Sequence, residues 1–453
     1  MDEQQSAPVR GRIVAIDILR GVAILWVVLF HLWGDLEFVP GVPREYYEQL
    51  TWQVKQGNGP WAVFTSFTDL LFRDGFEGVP LFMMISGISL TIAAYRAGDA
   101  LRWPRFFLAR FRKLLVPYWA GVAITYAVIV AIAWRQASVS GGSFSDHFGH
   151  GITISLHTIL LIDSGVVWAS ITLLPRLFED QWFFAPQLAL WFVGLLAQYY
   201  LLFPLLFLAM RKIGVAPFLV LSFGITVMAN WWMVHEYGAL ELKFFLVTGW
   251  APFRLFEFTS GMAIGWLLVA PEARAWLARI RRPQAILAVL ALGLLAHTAG
   301  DLWIGRWTAD ELTAGGGGIY LQALALPLVT LGLALLALPL LVKPPSRVDA
   351  SVAVRALTTI GVMSYALLII NDPMRLVASQ LRLEDVPGAV WWAFLVAVYV
   401  PVSVALAWPL ARVLGLMPKK PMQAPPVAPP GKRALRPAIA DPLEARIQAI
   451  PPP

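Results

Sequence analysis

Long apolar runs broken by short polar stretches set the pattern of this 453-residue chain. About 20 consecutive apolar residues cross the ~30 Å hydrocarbon core of a bilayer as a helix. Ten segments meet or approach that length: 13–33, 76–95, 114–134, 187–210, 214–234, 244–270, 285–299, 318–342, 356–371 and 389–415. The seventh and ninth are short, so ten helices is the expectation and eight the fallback. The pattern predicts an all-α, polytopic membrane bundle over residues 1–415. The first run is too long for a secretory leader, contains Asp17 and Arg20, and lacks a small-residue cleavage site, so it is expected to stay in the mature protein.

Composition agrees with this layout: 58% of residues are hydrophobic, 14% are charged and the mean hydropathy is +0.67. Charge then adds an orientation. If the N-terminus is inside, the inner segments hold 23 Lys/Arg against 7 Asp/Glu, and the outer segments 9 against 18. That asymmetry predicts both termini in the cytoplasm. The net charge of +7 is thereby a topology signal, and nothing further supports a nucleic-acid partner. Residues 34–75 and 135–186 form the two large outer loops. Residues 416–453, with 11 of the 33 prolines and Lys419, Lys420, Lys432 and Arg433, cannot bury a core and are expected to form a disordered cytoplasmic tail near anionic lipid. With no cysteine in the chain, disulfides, zinc–thiolate sites and a cysteine acyl-enzyme are excluded. Three histidines of the second outer loop, His147, His150 and His157, meet no zinc-spacing rule beside Asp146, so no metal is expected.

An ionisable residue inside a membrane span is a functional candidate by default. The first span contains Asp17, Arg20 and His31. At ~1.5 Å per residue, Arg20 lies about 10 Å inside one end of the helix and His31 near the other. The sixth span contains Arg254 and Glu257, one turn apart near mid-depth.

Several motifs follow in order. Asp17-x-x-Arg20-Gly21 precedes His31, with ten residues between the arginine and the histidine. Gly78-Val79-Pro80-Leu81-Phe82 leads to Ser86-Gly87, and Arg110-Phe111-Arg112-Lys113 runs into Val116-Pro117-Tyr118-Trp119. Trp191 precedes Gln198-Tyr199-Tyr200, and Arg254-x-x-Glu257-Phe258-x-x-Gly261 completes the set. In this combination the chain resembles the acyltransferase-3 family of integral membrane acyltransferases over roughly residues 12–415. It departs from the family pattern at Leu196 and Ala197, where many members carry Glu-Glu, and at Asn371, where many carry His after the Ser364-Tyr365 pair.

The resemblance implies transfer of an acyl group, acetyl in the first instance, from cytoplasmic acyl-CoA to a hydroxyl, less readily an amine. The acceptor would be a glycan, lipid-linked sugar or small molecule at the outer face of a bacterial cytoplasmic membrane. No cofactor is permanently bound; acyl-CoA is the donor substrate. A hydroxyl needs a base as it attacks a thioester, and neutral imidazole, with an ordinary pKa of ~6.5, suits that task; His31 is the candidate. A carboxylate would fix its tautomer. Asp35 and Glu77 both lie at the same boundary, and Glu77 is favoured because its helix returns into the bundle. Arg20 would bind a phosphate of CoA through its guanidinium fork, its bland alternative being a structural salt bridge with Asp17. The catalytic set is then His31, Arg20, Asp17 and Glu77. Arg110, Arg112 and Lys113 would extend the donor site, with simple inside-positive topology as their alternative. Trp191, Tyr199 and Tyr200 would line the acyl or sugar path, Arg254 and Glu257 would shape a central cavity, and Ser86 and Asn371 complete the substrate-binding set. A multi-helix transporter or flippase is the rival class.

Overall fold

The computed structural model describes residues 14–34, 56–57, 59–60, 63, 71–72, 74–98, 101–140, 142–144, 191–237, 250–305, 323–344, 351–381 and 394–417. All regular structure among them is helical. The main helices are α1 (Val14–Gly34), α2 (Gly78–Ala97, after a 3-10 turn at Asp74–Glu77), α3 (Trp103–Ser140), α4 (Trp191–Ile213) and α5 (Val215–Tyr237). Then come α6 (Leu255–Val269, after a 3-10 turn at Ala251–Arg254), α7 (Arg274–Ile280), α8 (Pro283–Gly305) and α9 (Ala325–Val342). The series closes with α10 (Val352–Val362), α11 (Ser364–Ser379) and α12 (Val400–Val413). Residues 418–453, the expected tail, and residues 146–190, with the loop histidines, lie outside the described residues.

Eight described helices are long and apolar enough to cross a bilayer, or ten if each of two bent pairs counts as one span. Large apolar side chains such as Leu201, Leu205, Leu208, Val220, Leu287, Leu295 and Leu406 are exposed. A water-soluble fold would bury them, whereas lipid is as apolar as they are. The 38 residues of α3 extend for about 57 Å at 1.5 Å per residue, well beyond a bilayer core, so the apolar run 114–134 is the middle of a longer helix.

The sixth span ends where expected, at a bend, and the ninth is broken by one. The sixth ends in a bend of 84° between Ala251–Val269 and Pro271–Ile280, and the ninth breaks by 78° at Met363, between α10 and α11. The sixth apolar run stops at its bend, where Glu272, Arg274 and Arg279 follow, whereas apolar residues continue across Met363, so hydropathy alone does not locate that second break. The short ninth run, 356–371, is the overlap of two helices of different direction.

Packing explains the glycines of the motifs. Without lipid-driven attraction, membrane helices associate where small residues let backbones approach. A Cβ at Gly21 would collide with the carbonyl of Leu357, and one at Gly361 with the carbonyl of Asp17. Those two glycines seal α1 against α10. A second seam joins α2 to α6, where a Cβ at Gly87 would strike the Phe258 carbonyl and one at Gly261 the Met84 carbonyl. Ile24, Val27, Val28 and Leu32 of α1 pack with Met363, Ala366, Leu367 and Leu368 at the bend and along α11. The bend at Met363 therefore lets one segment meet α1 twice, through α10 at the Asp17–Gly21 level and through α11 farther along.

Candidate active site

The signature of α1 is anchored at both ends. Near its N-terminal end, Arg20 Nη1 lies 3.6 Å from Asp17 Oδ1, and Asp17 is almost completely buried whereas a third of the Arg20 side chain is exposed. Arg20 Nη2 also donates to Ser89 Oγ of α2 at 3.1 Å. A fork held this way keeps a fixed aim, and the exposed part can meet an anion. One residue thus holds the ion pair and still presents part of its guanidinium outward. Ser86, expected in the substrate-binding set, donates its hydroxyl back to the Phe82 carbonyl at 2.9 Å.

The phenol of Tyr200 on α4 lies within electrostatic range of both Arg110 and Arg20. The charges of two separate helices therefore both act on one phenol. Arg110 is half-buried and sits 5.6 Å over the Phe106 ring. Arg112 and Lys113 are exposed on α3. A helix turns ~100° per residue, so Arg112, two residues on, points away from Arg110, whereas Lys113, three residues on, shares its side of the helix. Of the basic cluster, Arg110 is the member that shares the surroundings of Tyr200 with Arg20.

Near the far end of α1, the half-buried His31 meets Asn371 of α11, whose amide nitrogen is 2.9 Å from Nδ1. Asn371 is completely buried. The Tyr399 hydroxyl, just before α12, is 2.6 Å from the Asn371 backbone carbonyl oxygen and 3.0 Å from Oδ1.

The expected carboxylate partner is elsewhere. Glu77 Oε2 is 2.7 Å from Nε2 of His297 on α8. Gly75 and Gly78 dock against the backbone of α1 at Trp26 and Ala23, which is about 7 Å or more below His31 at 1.5 Å per residue. From that level the Glu77 side chain reaches α8, so Glu77 is corrected from a partner of His31 to a partner of His297. Asp35, the other candidate, lies outside the described residues.

The aromatic motif of α4 divides in two. Tyr199 is fully buried, stacks on Phe258 with centroids 4.6 Å apart, and donates its hydroxyl to the Ala251 carbonyl at 2.9 Å. Gln198 Oε1 accepts from the Ala251 N–H at 3.0 Å. Together they clamp both backbone groups of one residue, where the turn into α6 leaves peptide groups without helical partners. This replaces the expectation that Tyr199 lines a substrate path. Tyr200 keeps that possibility through its position beside Arg20 and Arg110. The Trp191 side chain lies outside what is described.

Arg254 and Glu257 form a buried pair, Nη1 to Oε2 at 3.4 Å. They lie at the start of α6 rather than at the middle of a continuous helix, because residues 251–254 form a 3-10 turn. Glu257 thus occupies a first turn, where the helix dipole favours an anion. The same corner is latched by α5: Asn230 donates to the Phe253 carbonyl, Thr226 Oγ1 accepts from the Phe256 N–H, and Ser222 accepts from Thr259. Sequence reasoning missed that ladder, though its four-residue spacing places it on one helix face. It also missed His297, which intramembrane burial of an ionisable group would have flagged. Among the described residues, no three His, Cys, Asp or Glu side chains gather where they would hold a metal ion.

The acyltransferase-domain family, type 3, matches residues 13–410. No curated protein and no solved structure matches the chain.

Proposed function

The chain belongs to the acyltransferase-3 family of membrane acyltransferases, and on that footing we propose that it moves an acyl group from cytoplasmic acyl-CoA to a hydroxyl acceptor at the opposite face. The acceptor class is a glycan, a lipid-linked sugar or a small molecule, and acetyl is the acyl group in the first instance. The observation that carries this reading is the layout of α1. It holds a partly exposed arginine toward one end and an imidazole tied through Nδ1 toward the other, about 16 Å apart at 1.5 Å per residue.

In this reading Arg20 and Arg110, both within electrostatic range of Tyr200, take the phosphates of the donor. Arginine suits that task because its planar fork matches phosphate oxygens and its charge is permanent. Asp17 and Ser89 keep the fork aimed. The thioester arm extends along the bundle to His31. There the imidazole takes the proton of the acceptor hydroxyl as its oxygen attacks the thioester carbonyl. The new C–O bond forms, the C–S bond breaks, and the CoA thiolate recovers the proton from the imidazolium. Charge asymmetry across the spans supports placing the Arg20 end on the cytoplasmic side. Gln198, Tyr199, Arg254 and Glu257 serve the scaffold that holds α4 and α6 in register.

The test is release of free CoA by the purified protein from acetyl-CoA, with and without candidate hydroxyl acceptors. Acceptor-dependent CoA release is expected. A protein that never cleaves a thioester yet moves a polar or lipid-linked solute across vesicles would be a transporter instead.

A further inference from the structure

Four helices leave an apolar cleft on one flank of the bundle. Its cavity of about 250 Å³ is lined by Leu219 of α5, Phe256, Ala263 and Ile264 of α6, Trp276 of α7 and Leu335 of α9, among others. The three α6 residues are buried and form its back, whereas Leu219, Leu335 and Trp276 keep exposed surface at its sides and end. Along α9 the lining runs from Leu331 to Leu338, about 10 Å at 1.5 Å per residue, so the cleft follows the helices. Ser260, its one hydroxyl, donates back to the Glu257 carbonyl at 2.9 Å. Water in such a place lacks the two to four polar partners that hold a buried water. A hydrocarbon chain needs none.

The α7 end of this cleft is cationic. The chain turns by 84° between α6 and α7, and a segment turned so far from a spanning helix runs along the membrane surface. Residues 271–282 contain Arg274, Arg279, Arg281 and Arg282, all exposed, against one carboxylate, Glu272. That carboxylate is taken up by its neighbours: Trp266 Nε1 donates to Oε1 at 3.0 Å, and the Tyr95 phenol of α2 bonds it as well. Among the described residues, no carboxylate forms an ion pair with any of the four arginines. Two of them stand at the cleft. The Arg279 guanidinium lies 5.5 Å over the Trp276 ring. Arg281 donates through Nε to the Val342 carbonyl at 3.3 Å, one turn beyond Leu338 of the lining. An aromatic face and a helix-end carbonyl both hold a guanidinium without neutralising it. Topology calls for basic residues on one side of a membrane, but it does not call for two of them at the end of an apolar cleft.

We infer that this cleft binds an anionic phospholipid, one acyl chain lying along α6 between α5 and α9 and the headgroup phosphate meeting Arg279 and Arg281. The guanidinium fork matches phosphate oxygens, and each basic residue near a membrane surface favours an anionic headgroup by about fivefold. Arg274 and Arg282 add to that attraction. A zwitterionic lipid offers the same chain but no net charge, so the arginines select the headgroup while the cleft takes the tail. The bound lipid would brace α7 against α5 and α9. None of Asp17, Arg20, His31, Ser89, Arg110 or Tyr200 lines the cleft, so the lipid site stands apart from the acyl-transfer reading.

The test is native mass spectrometry of the full-length protein in detergent, titrated with phosphatidylglycerol or with phosphatidylcholine of the same chains. One phosphatidylglycerol should be retained about 10-fold more tightly than phosphatidylcholine. Arg279→Gln combined with Arg281→Gln should lower phosphatidylglycerol affinity about 10-fold and leave phosphatidylcholine unchanged. Ala334→Phe fills the cleft from α9 and should abolish the tight retention of phosphatidylglycerol; Leu335→Trp does the same should the first variant fail to fold. Arg102→Gln with Arg105→Gln removes equal charge from exposed positions at the start of α3 and should change nothing. Equal retention of the two lipids, or none of either, overturns the proposal. An equal loss in the Arg102 and Arg105 variant would reduce it to a generally basic surface. Undiminished retention in folded Ala334→Phe would put the lipid elsewhere, and displacement of phosphatidylglycerol by acetyl-CoA would make the cleft part of a donor site.

Discussion

Two histidines of this bundle invite comparison. His31 on α1 meets a buried amide, 2.9 Å away, and His297 on α8 meets a buried carboxylate, 2.7 Å away. A carboxylate partner makes a pair whose two halves depend on each other for compensation, and removing either leaves a stranded buried group. An amide orients a ring without binding its charge state to a neighbour. In the reading proposed above, His31 carries the proton and His297 ties α8 to Glu77 at the start of α2. The residue type is the same in both cases, and the partner's chemistry separates the roles.

The sharpest way to break that contrast is to remove each imidazole in turn. His31→Ala should leave a folded, inserted protein whose turnover is lower by about 10²–10⁴, the range of a lost general base; acyl transfer by the purified variant measures it. Next in size is Arg20. Arg20→Ala should raise the acyl-CoA concentration needed for half-maximal rate by about 10-fold or more, as expected for a lost charge-assisted contact, and Arg20→Lys should recover only part because the fork is gone. An unchanged donor requirement with poor expression would make the Asp17 salt bridge the whole of its role. Arg112→Ala and Lys113→Ala, on the exposed face of α3, should change the donor requirement by no more than about twofold, as exposed charges do. The smallest effect on turnover is expected at His297. His297→Gln keeps a donor for Glu77, so turnover should stay within about twofold while the thermal midpoint in detergent falls. A 100-fold loss of turnover in folded His297→Gln would erase the distinction between the two histidines.

Much of the bundle was legible in the chain because lipid imposes so simple a rule. Spans such as 13–33 and 214–234 end within a few residues of α1 and α5, since an apolar run in a bilayer has few alternatives to a helix. The bend at Met363 was not legible, because apolar residues continue on both sides of it and the packing of Gly361 on the backbone of Asp17 beside it is a long-range contact. The motif glycines announced close approach without saying to what. At the site, Arg20 and His31 stood out as ionisable residues in a membrane span. Their partners did not, for His31 and Asn371 are separated by 340 positions and no local periodicity connects them. Glu77 shows the limit most plainly. It sits at the right boundary for His31, yet its direction is set by how Gly75 and Gly78 seat the preceding turn on α1.

Sealed vesicles of known orientation, loaded with a hydroxyl acceptor and supplied with labelled acyl-CoA on one side, test the central claim most directly. Label should enter product when acyl-CoA is on the side bearing the Arg20 end of α1, with product on the other side. Transfer should persist in His297→Gln and be lost in His31→Ala. Undiminished transfer by folded His31→Ala, or CoA release and product on the same face, would contradict a relay from Arg20 to His31 along the first helix.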